Sequence, residues 1–419
     1  MFSIIKHCSI TDNLSFLHLL RLQCANIYRN MSVDLNIAEV NGTEKNTKRH
    51  VNDENNDEVA IKVPKVEETT EKIRQKTSNF VIMLGYLGRD YYGMQRNPGL
   101  KTIEEDLILA LFKSNLINKA QFDDIRELKF QRAARTDKSV SAVRQIVSLK
   151  LPRDIAKKEV INEHLPKEIR VFGLKRVTKG FNSKNQCDAR TYRYVIPTFA
   201  LAPEDPNSLL NTEDEIDVDK RLEQLSTIDG KPYNEFRLTR DMIDKLNENL
   251  KLLEGTNNFH NFTIKVRPKN PSGRRYIISF NCTELFVANN MEFAVLEIKG
   301  QSFMLHQIRK MVSLVVGICR NIVTPDIVNT AFSLERIDIP IAPGLGLSLH
   351  HVHYRYYNQR YGNDGIHEAL DWEECDKEVE QFYKDYIIKN IVDTECAEKT
   401  TLNWLASSLT PKRFCTRDV

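Results

Sequence analysis

Arg132-Ala133-Ala134-Arg135-Thr136-Asp137-Lys138-Ser139-Val140-Ser141-Ala142 sets one carboxylate between two cations, in a segment that reads as a loop between strands. Leu128 to Ala134 has the composition of a strand entering this loop, and Val143 to Leu151 alternates as a strand leaving it. Loops carried by paired strands are where a rigid scaffold presents a reactive group. Arg135 and Lys138 are expected to keep Asp137 ionised by lowering its pKa through nearby opposite charge. That suits a nucleophile better than a proton donor. The plainer reading of an Asp after Thr at a strand end is a cap on the following turn.

Other stretches follow in an order that adds weight to the loop. Val81-Ile82-Met83-Leu84-Gly85-Tyr86 runs into Tyr91-Tyr92-Gly93-Met94-Gln95, a strand entering an aromatic, glycine-bearing turn. Phe181-Asn182-Ser183-Lys184 precedes Asp188-Ala189-Arg190-Thr191-Tyr192-Arg193-Tyr194. Phe303-Met304-Leu305-His306-Gln307-Ile308-Arg309-Lys310-Met311-Val312 comes next, and Gly344-Leu345-Gly346-Leu347-Ser348-Leu349 closes the series. These segments, together with Arg135-Thr136-Asp137, resemble the TruA family of tRNA pseudouridine synthases over about residues 78 to 360, in its eukaryotic nuclear and mitochondrial branch.

The resemblance implies an isomerase that converts specific uridines in tRNA to pseudouridine, with Asp137, Tyr192 and Arg309 catalytic. It implies that Arg309 pairs with Asp137, that Tyr192 stacks on the base, and that Leu347 closes the pocket. Arg135, Thr136, Lys138 and Lys269 are expected to contact substrate. Messenger or other structured RNAs are further candidate partners, and a monomer is expected. Ser139 stands where the family usually has Gly. If this residue takes positive φ, the strain is about 1 kcal/mol, which a folded loop absorbs.

The implied fold class is α+β: two ferredoxin-like, RNA-recognition-type halves forming one extended antiparallel sheet around a central RNA-binding cleft. The elements read in that order. A helix follows the capping sequence Thr102-Ile103-Glu104-Glu105. A second set begins with a helix from Arg240 to Leu253 and has strands at Tyr276 to Phe286 and Met291 to Ile298. Helices at Met304 to Cys319 and Thr324 to Phe332 follow, with a strand near Leu347 to Tyr354. The expected divisions are a disordered leader at 1–77, a first catalytic half at 78–200, an acidic surface insertion at 201–237, a second half at 238–363, and a helical extension at 364–419 outside the common core.

Charge is uneven along the chain. The net value is +3. Between Gln145 and Val195, however, twelve Lys or Arg face five Asp or Glu, a difference of +7, and Lys265, Arg267, Lys269, Arg274 and Arg275 occupy a stretch without acids. Glu204, Asp205, Glu213, Asp214, Glu215, Asp217 and Asp219 carry the compensating charge. Basic stretches of this kind fit phosphate contacts that position RNA. Lys310 reads as solvated or phosphate-facing.

The eight cysteines are scattered, with no Cys-x-x-Cys pair, so neither a disulfide framework nor a zinc site is suggested. His351 and His353 would share one face of a strand, but no carboxylate or cysteine lies near them in sequence, and no metal is expected. Gly344-Leu345-Gly346 lacks the third glycine of a dinucleotide loop, so no cofactor is implied. A nucleobase deaminase lacks its His-x-Glu and Pro-Cys-x-x-Cys here, which leaves a catalytically idle RNA-binding or RNA-chaperone protein as the alternative class.

Residues 1–30 hold Lys6, Arg21 and Arg29 against Asp12 alone, around Phe16-Leu17-His18-Leu19-Leu20. This composition fits a mitochondrial presequence, and the apolar run is too interrupted for a membrane span. Met31 as a second start, with Lys45, Lys48, Arg49, Lys62 and Lys65, would give a nuclear form.

Overall fold

Why Asp137 sits where it does follows from one strand edge that is shared by two partners. The computed structural model describes residues 76–205, 217–264 and 266–415. The address signals of the leader, Glu213, Asp214 and Glu215 of the acidic run, and Lys265 lie outside these residues.

Eleven strands are described: β1 (Thr77–Tyr86), β2 (Gln131–Arg132), β3 (Ser141–Pro152), β4 (Ile169–Arg176), β5 (Ala189–Pro197), β6 (Thr227–Ile228), β7 (Lys231–Pro232), β8 (Gly255–Asn258), β9 (Arg274–Ala288), β10 (Met291–Gly300) and β11 (Leu347–His353). Nine of them form one sheet in the order β4-β1-β3-β11-β5-β10-β9-β8, with β2 also on β3, while β6 and β7 make a separate hairpin. All pairings are antiparallel except β11 on β3. The fold is thus mixed α+β around a large, mostly antiparallel sheet.

One edge of β3 runs along β1 from Ala142 to Pro152. The other edge forks. β2 takes Val147 and Ser148, whereas β11 takes Ser141 and Ala142. The loop carrying Asp137 leaves the sheet in this fork, so a cleft opens in mid-sheet rather than at an edge.

The strand expected over Leu128 to Ala134 is reduced to Gln131–Arg132. Ile125–Leu128 instead forms a 3-10 turn that ends at Lys129 with φ 53°. Beyond Arg132, Ala133 N still donates to Ile146 O of β3 at 2.8 Å, but the remaining backbone groups of Ala133 and Ala134 turn to side chains. Ala133 O accepts both Nε and Nη2 of Arg190, at 3.1 and 2.7 Å, and Ala134 bonds to the Gln145 side chain through its N–H and its carbonyl.

Helix α1 (Ile103–Lys113) begins at Thr102, whose hydroxyl accepts Glu105 N at 3.3 Å. Only half of the expected capping box forms, because the Glu105 carboxylate turns to Arg96. Helix α2 (Arg240–Lys251) is amphipathic and buries Leu246 and Leu250. Helix α3 (Gln307–Cys319) is buried at eleven positions, Gln307, Ile308 and Lys310 through Ile318, and starts three residues later than its periodicity suggests. Lys310 is among the buried residues, and its ammonium donates to Asn261 O at 3.1 Å, so it is not the solvated side chain expected. The helix read from Thr324 begins at Ile327.

Two further expectations give way. Glu204 does not belong to a surface insertion. Its carboxylate is 10% exposed, accepts Arg320 Nε at 2.5 Å, and pairs with Arg221. The carboxy-terminal segment is helical from Asp376 to Glu398, with one π-helical stretch at Tyr383–Ile388, and again over Thr400–Ser407, yet it is not outside the core. The Phe382 ring meets Phe172 of β4 edge-on at 5.6 Å, Lys175 pairs with Asp371 and Glu374, and Trp372 is buried beside it.

Candidate active site

Asp137 hangs from a loop whose every turn is anchored. The Thr136 hydroxyl lies 2.7 Å from the Tyr86 hydroxyl, and Gln145 Nε2 donates to Tyr86 Oη at 3.3 Å. Thr136 O accepts Met94 N at 3.2 Å. That contact needs Gly93, whose φ is +100° and where a Cβ would lie 2.7 Å from Thr136 O. Ser139 takes φ 63°, the left-handed conformation for which the family's Gly is suited, and its N–H donates to Tyr91 O at 3.1 Å. Thr136 therefore shapes the loop from a buried position.

Around the loop lies a cavity of about 570 Å³, walled by Ala133 to Asp137, Arg190, Tyr192, Phe303 to Ile308 and Leu347. Asp137, Arg135, Tyr192 and Leu347 are thus brought together from three separated parts of the chain. Arg135 is exposed and, among the described residues, forms no hydrogen bond or ion pair. Tyr192 is buried, and its ring meets Phe303 edge-on at 5.2 Å. Burial pushes its phenol well above the ordinary pKa, so it is neutral at neutral pH. Tyr194, two residues on, donates its hydroxyl to Pro343 O at 2.7 Å and serves the wall.

The Asp137 side chain is 30% exposed and accepts no hydrogen bond among the described residues. Burial raises its pKa; the charges of His306 and then Arg309 oppose the rise. The sign is opposite to that expected, because removal from water outweighs nearby positive charge. Arg135 and Lys138 are not the groups that act on it. Lys138 points elsewhere, with its ammonium 4.6 Å from the Tyr92 ring centroid, and does not line the cavity. Lys269 is exposed on the loop before Pro271–Gly273, away from the cavity.

Arg309 reaches Asp137 through its field rather than a contact. No ion pair within 4.0 Å joins them among the described residues; instead Arg309 Nε donates to Ala342 O at 2.6 Å. The arginine thereby docks the loop that delivers Leu347. In that loop Gly346 O accepts Val195 N at 2.9 Å, and a Cβ at Gly346 would lie 2.1 Å from Val195 O. A glycine is the residue that allows this approach.

Two cavity residues were not singled out by sequence. His306, with φ 62° at the start of α3, places Nε2 3.9 Å from Asp137 Oδ2, while its buried Nδ1 has no partner. Burial lowers its pKa. Arg190 ties the β2 end to Gln301 O and Ala133 O. The signals existed: His306 is three residues before Arg309 in the stretch whose periodicity reads as a helix, and Arg190 is two before Tyr192 on one strand face.

The histidine strand end is half-buried and lines a separate hollow. His351 and His353 do face each other, with ring centroids 4.4 Å apart, and His353 Nε2 lies 2.8 Å from Thr191 Oγ1. Burial pushes their pKa values down to about 4 and about 3, so both are neutral at neutral pH.

The chain is similar to known proteins of one family. A family described as tRNA pseudouridine synthase matches residues 250–355. "Pseudouridylate synthase 1 homolog" of Homo sapiens is 46% identical over 332 residues, spanning 78% of this chain and 72% of the relative. "tRNA pseudouridine synthase 1" of Yarrowia lipolytica is 32% identical over 388 residues, spanning 78% and 73%. The protein of the same name from Saccharomyces cerevisiae is 32% identical over 354 residues, spanning 71% and 65%. On this similarity the chain belongs to the tRNA pseudouridine synthase family.

Proposed function

We propose that this protein isomerises specific uridines in tRNA to pseudouridine, with the Asp137 carboxylate as nucleophile. The observation that carries the reading is a carboxylate that accepts no hydrogen bond among the described residues, on the wall of a cavity also lined by Tyr192, Leu347 and the exposed Arg135.

A uridine in folded RNA is stacked, so the base must leave the stack before a carboxylate reaches it. Arg135 holds backbone phosphate beside the extruded nucleotide. Asp137 attacks C6 of the ring or C1′ of the sugar, and the N1–C1′ bond breaks. The uracil turns within the cavity, and C5 bonds to C1′. The proton lost from C5 is balanced by the proton gained at N1, and the carboxylate is released unchanged. Tyr192 supplies a flat apolar wall for the base; its raised pKa keeps the phenol protonated at neutral pH, so no phenolate stands ready to take the C5 proton. Leu347 and Ile308 keep water from the detached uracil. Arg309 favours the ionised aspartate that begins the cycle, and His306 adds to this only when it is protonated. Nothing in this sequence of steps calls for a redox or group-carrying cofactor, since every bond broken is replaced within the substrate.

The sheet is best read as two ferredoxin-like halves. The orders β4-β1-β3-β2 and β11-β5-β10-β9 support this, since each repeats the 4-1-3-2 arrangement of a βαββαβ unit, with α1 and α2 as the first crossovers and α3 before the last strand. On this topology the first half ends with β4 and the second begins with β5 at Ala189, so the boundary falls before residue 200 and not at it. Other structured RNAs, a monomeric state, and a mitochondrial or nuclear address belong to the same proposal, the last on amino-terminal composition.

The test is to map pseudouridine in unmodified transcript tRNA after incubation with the purified protein. Conversion at defined uridines is expected. Binding without conversion of any uridine would favour the idle RNA-binding alternative.

A further inference from the structure

The cavity at Asp137 is not a closed end. Lys184, Arg190 and Ser302 on its rim also line a second hollow of about 550 Å³. That hollow shares Asn185, Cys187, Tyr276 and Gln301 with a third, of about 1280 Å³, which reaches Tyr356 and Asn358. A fourth, of about 290 Å³, carries the path to Arg360. The result is a continuous groove from the fork of β3, past the start of β9 and the end of β10, to the helix Arg355–Tyr361.

Its charges are sorted in a way that favours an anion. On the acidic wall, Asp376 is held by Arg144 at 2.9 Å, Asp371 by Lys175 at 3.4 Å, and Asp188 Oδ2 accepts Tyr356 N at 3.3 Å; Glu373 is the acid left over. By contrast, Lys184, Arg274, Arg275, Lys299, Arg355 and Arg360 have no carboxylate partner among the described residues. Arg275 is held in place by donating to Arg274 O at 2.8 Å, and its buried Nε remains without a partner.

The groove also presents aromatic rings to solvent. Tyr276 is 46% exposed and Tyr356 is 63% exposed, both on its lining. The Arg355 guanidinium lies 4.9 Å from the Tyr356 ring centroid, so ring and cation form one platform. Exposed rings spaced along a basic track are what a single-stranded nucleic acid uses, bases on the rings and phosphates on the cations. An acidic peptide would use the cations and leave the rings idle.

We propose that this groove binds a single-stranded stretch of RNA that flanks the target uridine, with Tyr276 and Tyr356 as stacking platforms and the unpaired cations along the phosphates. The assignment rests on the reading of the Asp137 cavity as the uridine site.

The experiment uses the full chain and three RNAs built on one hairpin that carries the target uridine: the hairpin alone, and the hairpin with about ten unpaired nucleotides on its 5′ or 3′ side. Affinity is measured by fluorescence anisotropy at physiological salt. One extended RNA is expected to bind more tightly than the hairpin. Tyr276→Ala with Tyr356→Ala should remove that gain, on the order of tenfold per ring. Tyr276→Phe with Tyr356→Phe should retain it, and unchanged melting curves exclude unfolding as the cause. An equal gain in the wild type and the Ala pair overturns the proposal, as does a polyglutamate peptide competing as well as the extension. A wild type that binds the extension but converts no uridine would sink the functional reading and leave the groove assignment standing.

Discussion

Two carboxylates show how the same chemical group is kept for different ends. Glu204 is 10% exposed and clamped by Arg320 and Arg221, whereas Asp137 is 30% exposed and accepts no hydrogen bond among the described residues, where His306 Nε2 lies 3.9 Å away. A carboxylate whose oxygens are all engaged is a structural brace. One whose lone pairs are free in a cavity is available to attack carbon. The difference lies in partners, not in depth alone.

The comparison can be broken at either end. Glu204→Ala would strand the nearly buried Arg320, which also donates to Phe199 O and Ala200 O. A loss of about 3 to 5 kcal/mol of stability is expected. Urea unfolding checks it, and an unchanged midpoint would show that Glu204 is no brace. Arg309→Ala removes both the charge that favours ionised Asp137 and the bond that docks Ala342. Turnover should fall by about 2 to 4 kcal/mol, roughly thirtyfold to several hundredfold, with RNA affinity little altered. Near-normal single-turnover rates at saturating tRNA would return Arg309 to a purely structural role.

A smaller effect concerns pH. Burial raises the Asp137 pKa above the ordinary carboxylate value near 3.9, so activity should fall, on acidification, at a higher pH than for an exposed aspartate. His306, neutral at pH 7 because burial lowers its pKa, gains charge on acidification and opposes this loss. His306→Gln should therefore move the acid limb to higher pH, and Arg309→Ala should move it the same way. A limb that stays in place in His306→Gln, read from single-turnover rates, would mean that the 3.9 Å approach is incidental.

The smallest effects are expected at the charges that sequence placed in the site and the structure did not. Lys138→Ala should change stability by less than about 0.5 kcal/mol. Lys269→Ala should leave turnover unchanged and lower the slope of tRNA affinity against salt by about one unit if the lysine meets a phosphate. An affinity that does not vary with salt would contradict the basic surface as a whole.

Much of this was legible. β1, β3, β9, β10 and β11 announce themselves by apolar runs or alternation, and Asp137, Tyr192 and Leu347 lie in local motifs that keep their meaning wherever they fold. What was hidden depends on distance along the chain. Arg320 reaches Glu204 from 116 residues away, so an acidic run looked solvated. Ala133 gives its carbonyl to Arg190, 57 residues on, which ends β2 after two residues where composition suggested seven. The direction of the Asp137 shift was misread because neighbours in sequence, Arg135 and Lys138, are not its neighbours in space, and because desolvation leaves no mark in a sequence. Ser139 is the converse. Its identity departs from the family's Gly, yet the left-handed backbone that Gly implies is kept at φ 63°.

The most direct test of a free, partly desolvated carboxylate as nucleophile is Asp137→Asn, followed by single-turnover pseudouridine formation at saturating tRNA with a melting curve on the same sample. The folded state binds the Asp137 proton more tightly than the unfolded chain does. Stability is therefore lost as pH rises from the unfolded carboxylate value through the raised folded one. The amide escapes that loss, so the account predicts a rate at least about a thousandfold below wild type together with a melting temperature at neutral pH that is equal or higher. Appreciable pseudouridine in the Asn variant would contradict it, and so would a lowered melting temperature, which would mean that the carboxylate is held by bonds it needs.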